Sequence, residues 1–118
     1  MSRRPDGALE RDIMKVLWSS PEPLSPATVN SRLDQGLAYT TVATVLGRLH
    51  TKGLVQRTAV GRAFVYRAAI PESELAGRRI ADVLLSASDS RAVLAGFVRG
   101  LSKRDAKALR ALLDDEER

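Results

Sequence analysis

At Gly53 the hydrophobic period of this chain switches from that of a helix to that of a strand, and few folds accommodate such a switch. Upstream, Val42, Val45, Leu46 and Leu49 recur at three- and four-residue spacings. They predict a helix over about Tyr39 to Lys52, with Gly53 as its left-handed C-cap. Downstream, residues 54–58 and 63–67 are short runs rich in β-branched and aromatic side chains. They flank Ala59-Val60-Gly61-Arg62, a hairpin turn in which Gly61 supplies positive φ.

Two helices are predicted before that point. Leu9, Ile13, Val16 and Leu17 form a buried stripe that Trp18 completes, and Asp6 can cap the helix that carries it. Ser19 to Pro23 is a proline-broken loop. Ser25-Pro26 reads as an N-cap followed by a first-turn proline, whose missing N–H costs nothing there. That second helix should run to about Leu33, with Val29 and Leu33 inward, and end at Gln35-Gly36. Trp18 and Phe64 are expected in the core, and Met1 to Arg4 as a disordered basic start. Helix, helix, helix, hairpin is the order of a winged helix-turn-helix. Residues 1–70 are therefore read as a winged helix-turn-helix DNA-binding domain, in a fold that is mainly α with a small β-hairpin.

Pro71 marks the expected boundary. Beyond it, three helices are predicted: one over Glu72 to about Ala87, a second capped by Asp89 or Ser88, and a third beginning at a capping-box-like Ser102 and Asp105. Their apolar stripes comprise Ile80, Val83 and Leu84; Val93, Leu94, Phe97, Val98 and Leu101; and Leu109, Leu112 and Leu113. So short a segment cannot bury three such stripes by itself. Residues 71–118 are accordingly read as a helical homodimerisation region, the alternative being that these helices fold back on their own winged helix. Four acids from Asp114 to Glu117 have the wrong sign for a helix C-terminus, so this end is expected to fray.

The charge distribution separates the two parts. Residues 1–70 hold ten Lys or Arg and five acids, while residues 71–118 hold nine of each, so the whole net charge of +5 lies in the first part. Between Asp34 and Glu72 there is no acidic residue, whereas Arg48, Lys52, Arg57, Arg62 and Arg67 all fall there. On the outer face of the third predicted helix are Thr40, Thr41, Thr44, Arg48 and Thr51. A surface of one sign, built from short hydroxyls and long cations, suits a nucleic-acid duplex: phosphates repel carboxylates, whereas Thr and Arg bond phosphates and base edges.

The residues divide by position. Thr40, Thr41 and Thr44 could bond phosphates or present methyls to thymine, or be a solvated face; three β-branched residues on an exposed helical face lower helix propensity and call for another reason. Arg48 is the candidate for a bidentate base-edge contact, with a phosphate contact or free surface as alternatives. Lys52 points to a phosphate or complements the helix dipole. Tyr39 can bond a phosphate through its hydroxyl or pack. Arg62 lies at the wing tip, within reach of backbone or minor groove. Arg57 and Arg67 lie on strands without an assigned role, and Ala27, Thr28 and Ser31 carry only a weak case for phosphate contact.

Other chemistries lack their residues. Without cysteine there is no disulfide, thiolate metal site or cysteine redox switch, which fits a cytoplasmic protein. His50 is the only histidine and has no ligand partner near it in sequence, so no metal and no cofactor is expected. Neither a phosphate-binding loop nor a dinucleotide glycine pattern occurs, and no nucleophile–base arrangement is legible, so the chain is not expected to be an enzyme. No apolar run approaches the roughly 18 residues of a membrane helix, so membrane insertion is not expected, nor is a signal peptide.

Ala38-Tyr39-Thr40-Thr41-Val42 through Thr44-Val45-Leu46, Arg48-Leu49 and Lys52-Gly53-Leu54-Val55 resembles the recognition segment of the penicillinase-repressor family, of the BlaI/MecI type. Leu9 to Trp18, Pro23-Leu24-Ser25 and the wing Gly61-Arg62-Ala63-Phe64-Val65-Tyr66 are similar to the same family. The resemblance implies a bacterial transcriptional repressor that binds palindromic operator DNA as a homodimer and blocks genes such as those of β-lactamase, and thus a role in antibiotic resistance. It also implies a membrane sensor-protease as partner, cutting the repressor before a Phe that corresponds in place to Phe97. Here Gly96 precedes it, where the family usually has Asn. The competing reading is a winged helix used for protein–protein association, with no sequence-specific DNA binding.

Overall fold

The computed structural model describes residues 6–117, with the side chain of Asp6 outside that description. The expectations for the basic start and for a capping Asp6 side chain therefore lie outside the described residues. The elements run α1 (Asp6–Trp18), α2 (Pro26–Leu33), α3 (Tyr39–Thr51), β1 (Val55–Val60), β2 (Ala63–Ala68), α4 (Glu72–Ser86), α5 (Ser90–Arg99) and α6 (Lys103–Glu116). This is the mainly helical winged-helix order that the period switch predicts. The chain forms two compact units, 1–75 and 76–118. The division falls inside α4, rather than at Pro71, because Leu75 is buried with the first unit.

The core of the first unit is where the apolar stripes meet. Ile13 and Met14 of α1, Val29 of α2 and Val42, Leu46 and Leu49 of α3 are essentially inaccessible to water. Leu9, Leu17, Leu24, Val45, Val55, Tyr66, Ile70 and Leu75 complete the cluster. Trp18 lies at its edge, half-buried, and its indole Nε1 donates to the carbonyl of Ile70 at 2.8 Å. That bond satisfies the one polar group such a ring carries into an apolar site.

Local chemistry sets the helix ends. Ser25 caps α2: its hydroxyl accepts from the Thr28 N–H at 3.1 Å, and Pro26 follows in the first turn. Asp34, at φ 52°, ends α2 in the left-handed region, where a short Asp side chain is tolerated. Helix α3 stops at Thr51, with Lys52 as C-cap and Gly53 beyond it at φ 78°.

The hairpin differs from the four-residue turn that the sequence implies. Val60 pairs with Ala63, so the ladder runs through Ala59 and Val60 and only Gly61-Arg62 turns the chain. Gly61 takes φ 62°. Positive φ at the first central position is what a two-residue type II′ turn requires, and that turn matches the strand twist. Paired N–H and C=O groups of Leu24 and Tyr66, at 2.8 and 2.7 Å, add a one-residue third strand that ties the hairpin to the α1–α2 loop.

Phe64 is a correction. It is 41% exposed, and Tyr66, two residues nearer the helices on the same face, takes the buried position instead at 5%. Strand alternation assigns a face; it does not say how far along a hairpin the core reaches.

In the second unit, Asp89 caps α5 by accepting from the Ala92 N–H, and Ser102 caps α6 by accepting from the Asp105 N–H, both at 3.0 Å. Helix α6 continues through Asp114 and Asp115 to Glu116, so the acids do not end it early. From Ala76 to Glu117 no residue is buried. Ile80, Val83, Val93, Leu94, Phe97, Val98, Leu112 and Leu113 are exposed, while Leu84, Leu101 and Leu109 are half-buried. Two shallow apolar hollows follow: one of about 200 Å³ lined by Ile80, Val83, Leu84, Val93, Leu94 and Phe97, and one of about 300 Å³ around Phe97, Leu101, Leu109 and Leu112.

Leu46 is the most diagnostic core position, since it holds α3 from its middle. Leu46→Ala should lower the unfolding free energy by about 2–5 kcal/mol, read from urea denaturation. A loss under about 1 kcal/mol would contradict the packing described.

Candidate nucleic-acid interface

The inner face of α3 determines its outer one. With Val42, Val45, Leu46 and Leu49 buried, the 3.6-residue period turns Thr40, Thr41, Thr44 and Arg48 to solvent, and all four are exposed. Together with Leu9 and Val45 they line an open hollow of about 300 Å³. Its floor is apolar and its rim carries three hydroxyls and a guanidinium, a combination able to meet thymine methyls, base edges and phosphates. Tyr39 is 53% exposed at the head of the helix rather than packed.

The start of α3 adds to the positive field. Ala38 is the N-cap, and no side chain accepts from the first-turn N–H groups. The Thr41 N–H bonds the Ala38 carbonyl at 3.1 Å, and the N–H groups of this turn form the positive end of the helix dipole. The turn that delivers α3 is held by Asn30, whose Nδ2 donates to the carbonyl of Leu37 at 2.9 Å across seven positions. Nothing in sequence periodicity marks that bond.

Lys52 departs from the sequence reading. Its Nζ lies 2.9 Å from both carboxylate oxygens of Glu10 on α1. The tract is free of acids in sequence but not in space: a carboxylate from 42 positions away engages its lysine. In the unbound protein Lys52 therefore links the end of α3 to α1 as well as contributing charge. Its side chain is 54% exposed and that of Glu10 15%, so the lysine remains accessible to a competing anion.

Arg62 lies in the hairpin turn, exposed. Arg67, paired across from Gln56, and Arg57, paired across from Tyr66, point from opposite faces of the hairpin. Arg57 places its guanidinium carbon 4.4 Å from the centroid of the Phe64 ring. His50 is half-buried, and no cluster of metal-binding side chains occurs among the described residues. No helix among those residues is long and apolar enough to cross a membrane.

Glu10→Gln should leave stability within about 1 kcal/mol of the parent, because an ion pair whose lysine stays in solvent contributes little. It should also tighten binding to duplex DNA of random sequence, about threefold, by freeing Lys52 for phosphate. Fluorescence titration at low salt measures this; unchanged or weaker binding would show that Glu10 does not restrain the lysine.

Comparison with known proteins identifies the family. The family model described as "Penicillinase repressor" matches residues 7–115. The "Transcriptional regulator BlaI" of Mycobacterium tuberculosis (strain CDC 1551 / Oshkosh) is 40% identical over 116 residues, covering 94% of this chain and 84% of that protein. The solution structure of the DNA-binding domain of the repressor BlaI superposes with a TM-score of 0.50 at 32% identity, over 57% of this chain and 83% of that one. The ferric uptake regulator Fur of Helicobacter pylori, at TM-score 0.52 and 18% identity over 57% of this chain and 49% of its own, shares the fold alone. The winged first unit and the match across nearly the whole chain lead to one conclusion: this protein belongs to the penicillinase repressor family of transcriptional regulators.

Proposed function

We propose that this protein is a homodimeric repressor that sets α3 of each protomer in the major groove of palindromic operator DNA. The observation that carries the reading is the two-faced character of α3: one side sealed in the core, the other presenting Thr40, Thr41, Thr44 and Arg48. Arg48 reads a base edge, the threonines contact methyls or phosphates, and Arg62 grips the backbone from the wing. Lys52 contributes a phosphate contact once DNA competes it away from Glu10. Two such helices on a two-fold axis read half-sites about one helical turn, 10–10.5 base pairs, apart.

Dimerisation follows from the second unit. The stretch from Ala76 to Glu117 has no buried residue, and Ile80, Val83, Leu94, Phe97 and Leu112 are left exposed. Exposed apolar surface of that extent marks an interaction site, and a second copy, carrying the same stripes, buries it symmetrically. A sensor-protease that cuts between Gly96 and Phe97 would act on this same region. That bond lies within α5, and Gly96 is the weakest helix former beside it, so the turn must open before the bond can enter a cleft.

Three outcomes test the reading. Log affinity against log salt should fall with a slope of about −3.6 or steeper, from at least the Lys52 and Arg62 phosphate contacts of two protomers; a slope near zero overturns it. Arg48→Ala should remove about 1–3 kcal/mol of discrimination at one base pair per half-site, read by competition between operator and single-base variants. Phe97→Glu should shift sedimentation at micromolar concentration from dimer to monomer, and a protein that stays dimeric would place the interface elsewhere.

A further inference from the structure

The hairpin carries three arginines and no acid, and its register separates their roles. Val55, Arg57 and Ala59 share one face with their partners Ala68, Tyr66 and Phe64. The inner end of that face is fixed: Val55 and Tyr66 are buried, and the backbone of Tyr66 is bonded to Leu24 in both directions. The Phe64 ring meets the Tyr66 ring edge-on, with centroids 6.4 Å apart and planes at 63°. Arg57 then lies over Phe64 at 4.4 Å. Among the described residues no carboxylate pairs with Arg57. A buried tyrosine thus supports an exposed phenylalanine, which supports a cation.

We propose that Arg57 is a hairpin contact to the phosphate backbone of duplex DNA, and that Phe64 positions it. The proposal rests on the repressor reading above. An aromatic ring left 41% exposed on a wing contributes little to the core, but its face attracts a guanidinium. Holding Arg57 there restricts a side chain whose rotamer freedom would otherwise be lost on binding. The N–H groups of the guanidinium remain available for a phosphate, since its attraction to the ring is through the cationic plane. Arg67 lies on the opposite face, paired across from Gln56 with no aromatic support, and is not such a contact.

The test uses the full chain and a random-sequence duplex of about 30 base pairs, long enough for two half-sites. The parent is titrated first; no binding at low salt would defeat the repressor reading itself, before any variant is made. With a binding parent, Arg57→Ala should weaken affinity about tenfold and make the salt slope shallower by about 1.8, the share of one phosphate per protomer. Arg67→Ala should leave both nearly unchanged. Phe64→Leu, which keeps apolar bulk and removes the ring, should weaken binding about two- to fivefold per engaged protomer. Phe64→Trp should restore it, and the double variant R57A/F64L should bind no more weakly than R57A. Trp18 fluorescence and thermal melting, carried out on the phenylalanine and arginine variants other than F64W, report whether the fold is retained. Equal effects of Arg57→Ala and Arg67→Ala would overturn the contact. A Phe64→Leu loss that persists undiminished in the R57A background would overturn the positioning role.

Discussion

Everything that α3 presents outward depends on the seal between its inner face and α1 and α2. A helix has a single orientation about its axis once four consecutive stripe residues are buried, and Val42, Val45, Leu46 and Leu49 supply that stripe. Rotation by one residue towards the start of the helix would bury Thr41, Thr44 and Arg48 and expose Val42, Leu46 and Leu49, exchanging well-packed aliphatic carbon for unpaired hydroxyls and a charge. The rigidity of the reading face is thus a property of the core behind it. The α2–α3 turn adds a second restraint, because the Asn30 amide holds the Leu37 carbonyl while Asp34 and Gly36 take left-handed φ of 52° and 65°. Position and orientation are both fixed before any DNA arrives, which is how a site keeps the entropic cost of binding low.

Electrostatics adds a graded element. Residues 1–70 carry the excess positive charge, but the Glu10 carboxylate holds one of their cations in the unbound state. An ion pair whose lysine stays in solvent contributes little to stability, yet it changes what a duplex must displace. A phosphate backbone presents many negative charges along a line, and on the proposed reading it outcompetes one carboxylate. Association with a weaker or shorter polyanion is less able to do so.

Much of the architecture was legible because it is local. The caps at Ser25, Asp89 and Ser102 join residues three apart, and the α3 stripe repeats within one helix, so a sequence window contains the interaction. What was missed is nonlocal. Met14 is buried because α1 is packed on by α2, α3 and β2, so its buried arc is wider than a single stripe. Phe64 and Tyr66 have the same strand parity, and only the distance from the helical body separates the exposed one from the buried one. Glu10 and Lys52 lie 42 positions apart, beyond any periodic signal. The candidate site followed the same division. The Thr40, Thr41, Thr44 and Arg48 face could be read from the helical period, whereas the Arg57–Phe64 contact needed the strand register.

The two units also differ in how they use apolar surface, and this bears on control. The first is complete in one chain; the second, from Ala76 onward, buries nothing fully by itself. If a second copy completes it, the binding of one α3 makes the binding of the other intramolecular. Effective concentrations in such linked systems reach the millimolar range, and avidity exceeds single-site affinity by about 10²–10⁴. One recognition helix and one wing make a small interface, so on the proposed reading affinity for DNA depends steeply on the dimer. A change that only loosens α4, α5 or α6 then releases the operator without touching a DNA contact. Gly96 sits at the middle of this argument: a residue of low helix propensity beside Phe97, the apolar side chain common to both hollows. On the proposed reading, the helices that carry no DNA contact are those through which the dimer, and with it the grip on DNA, can be loosened.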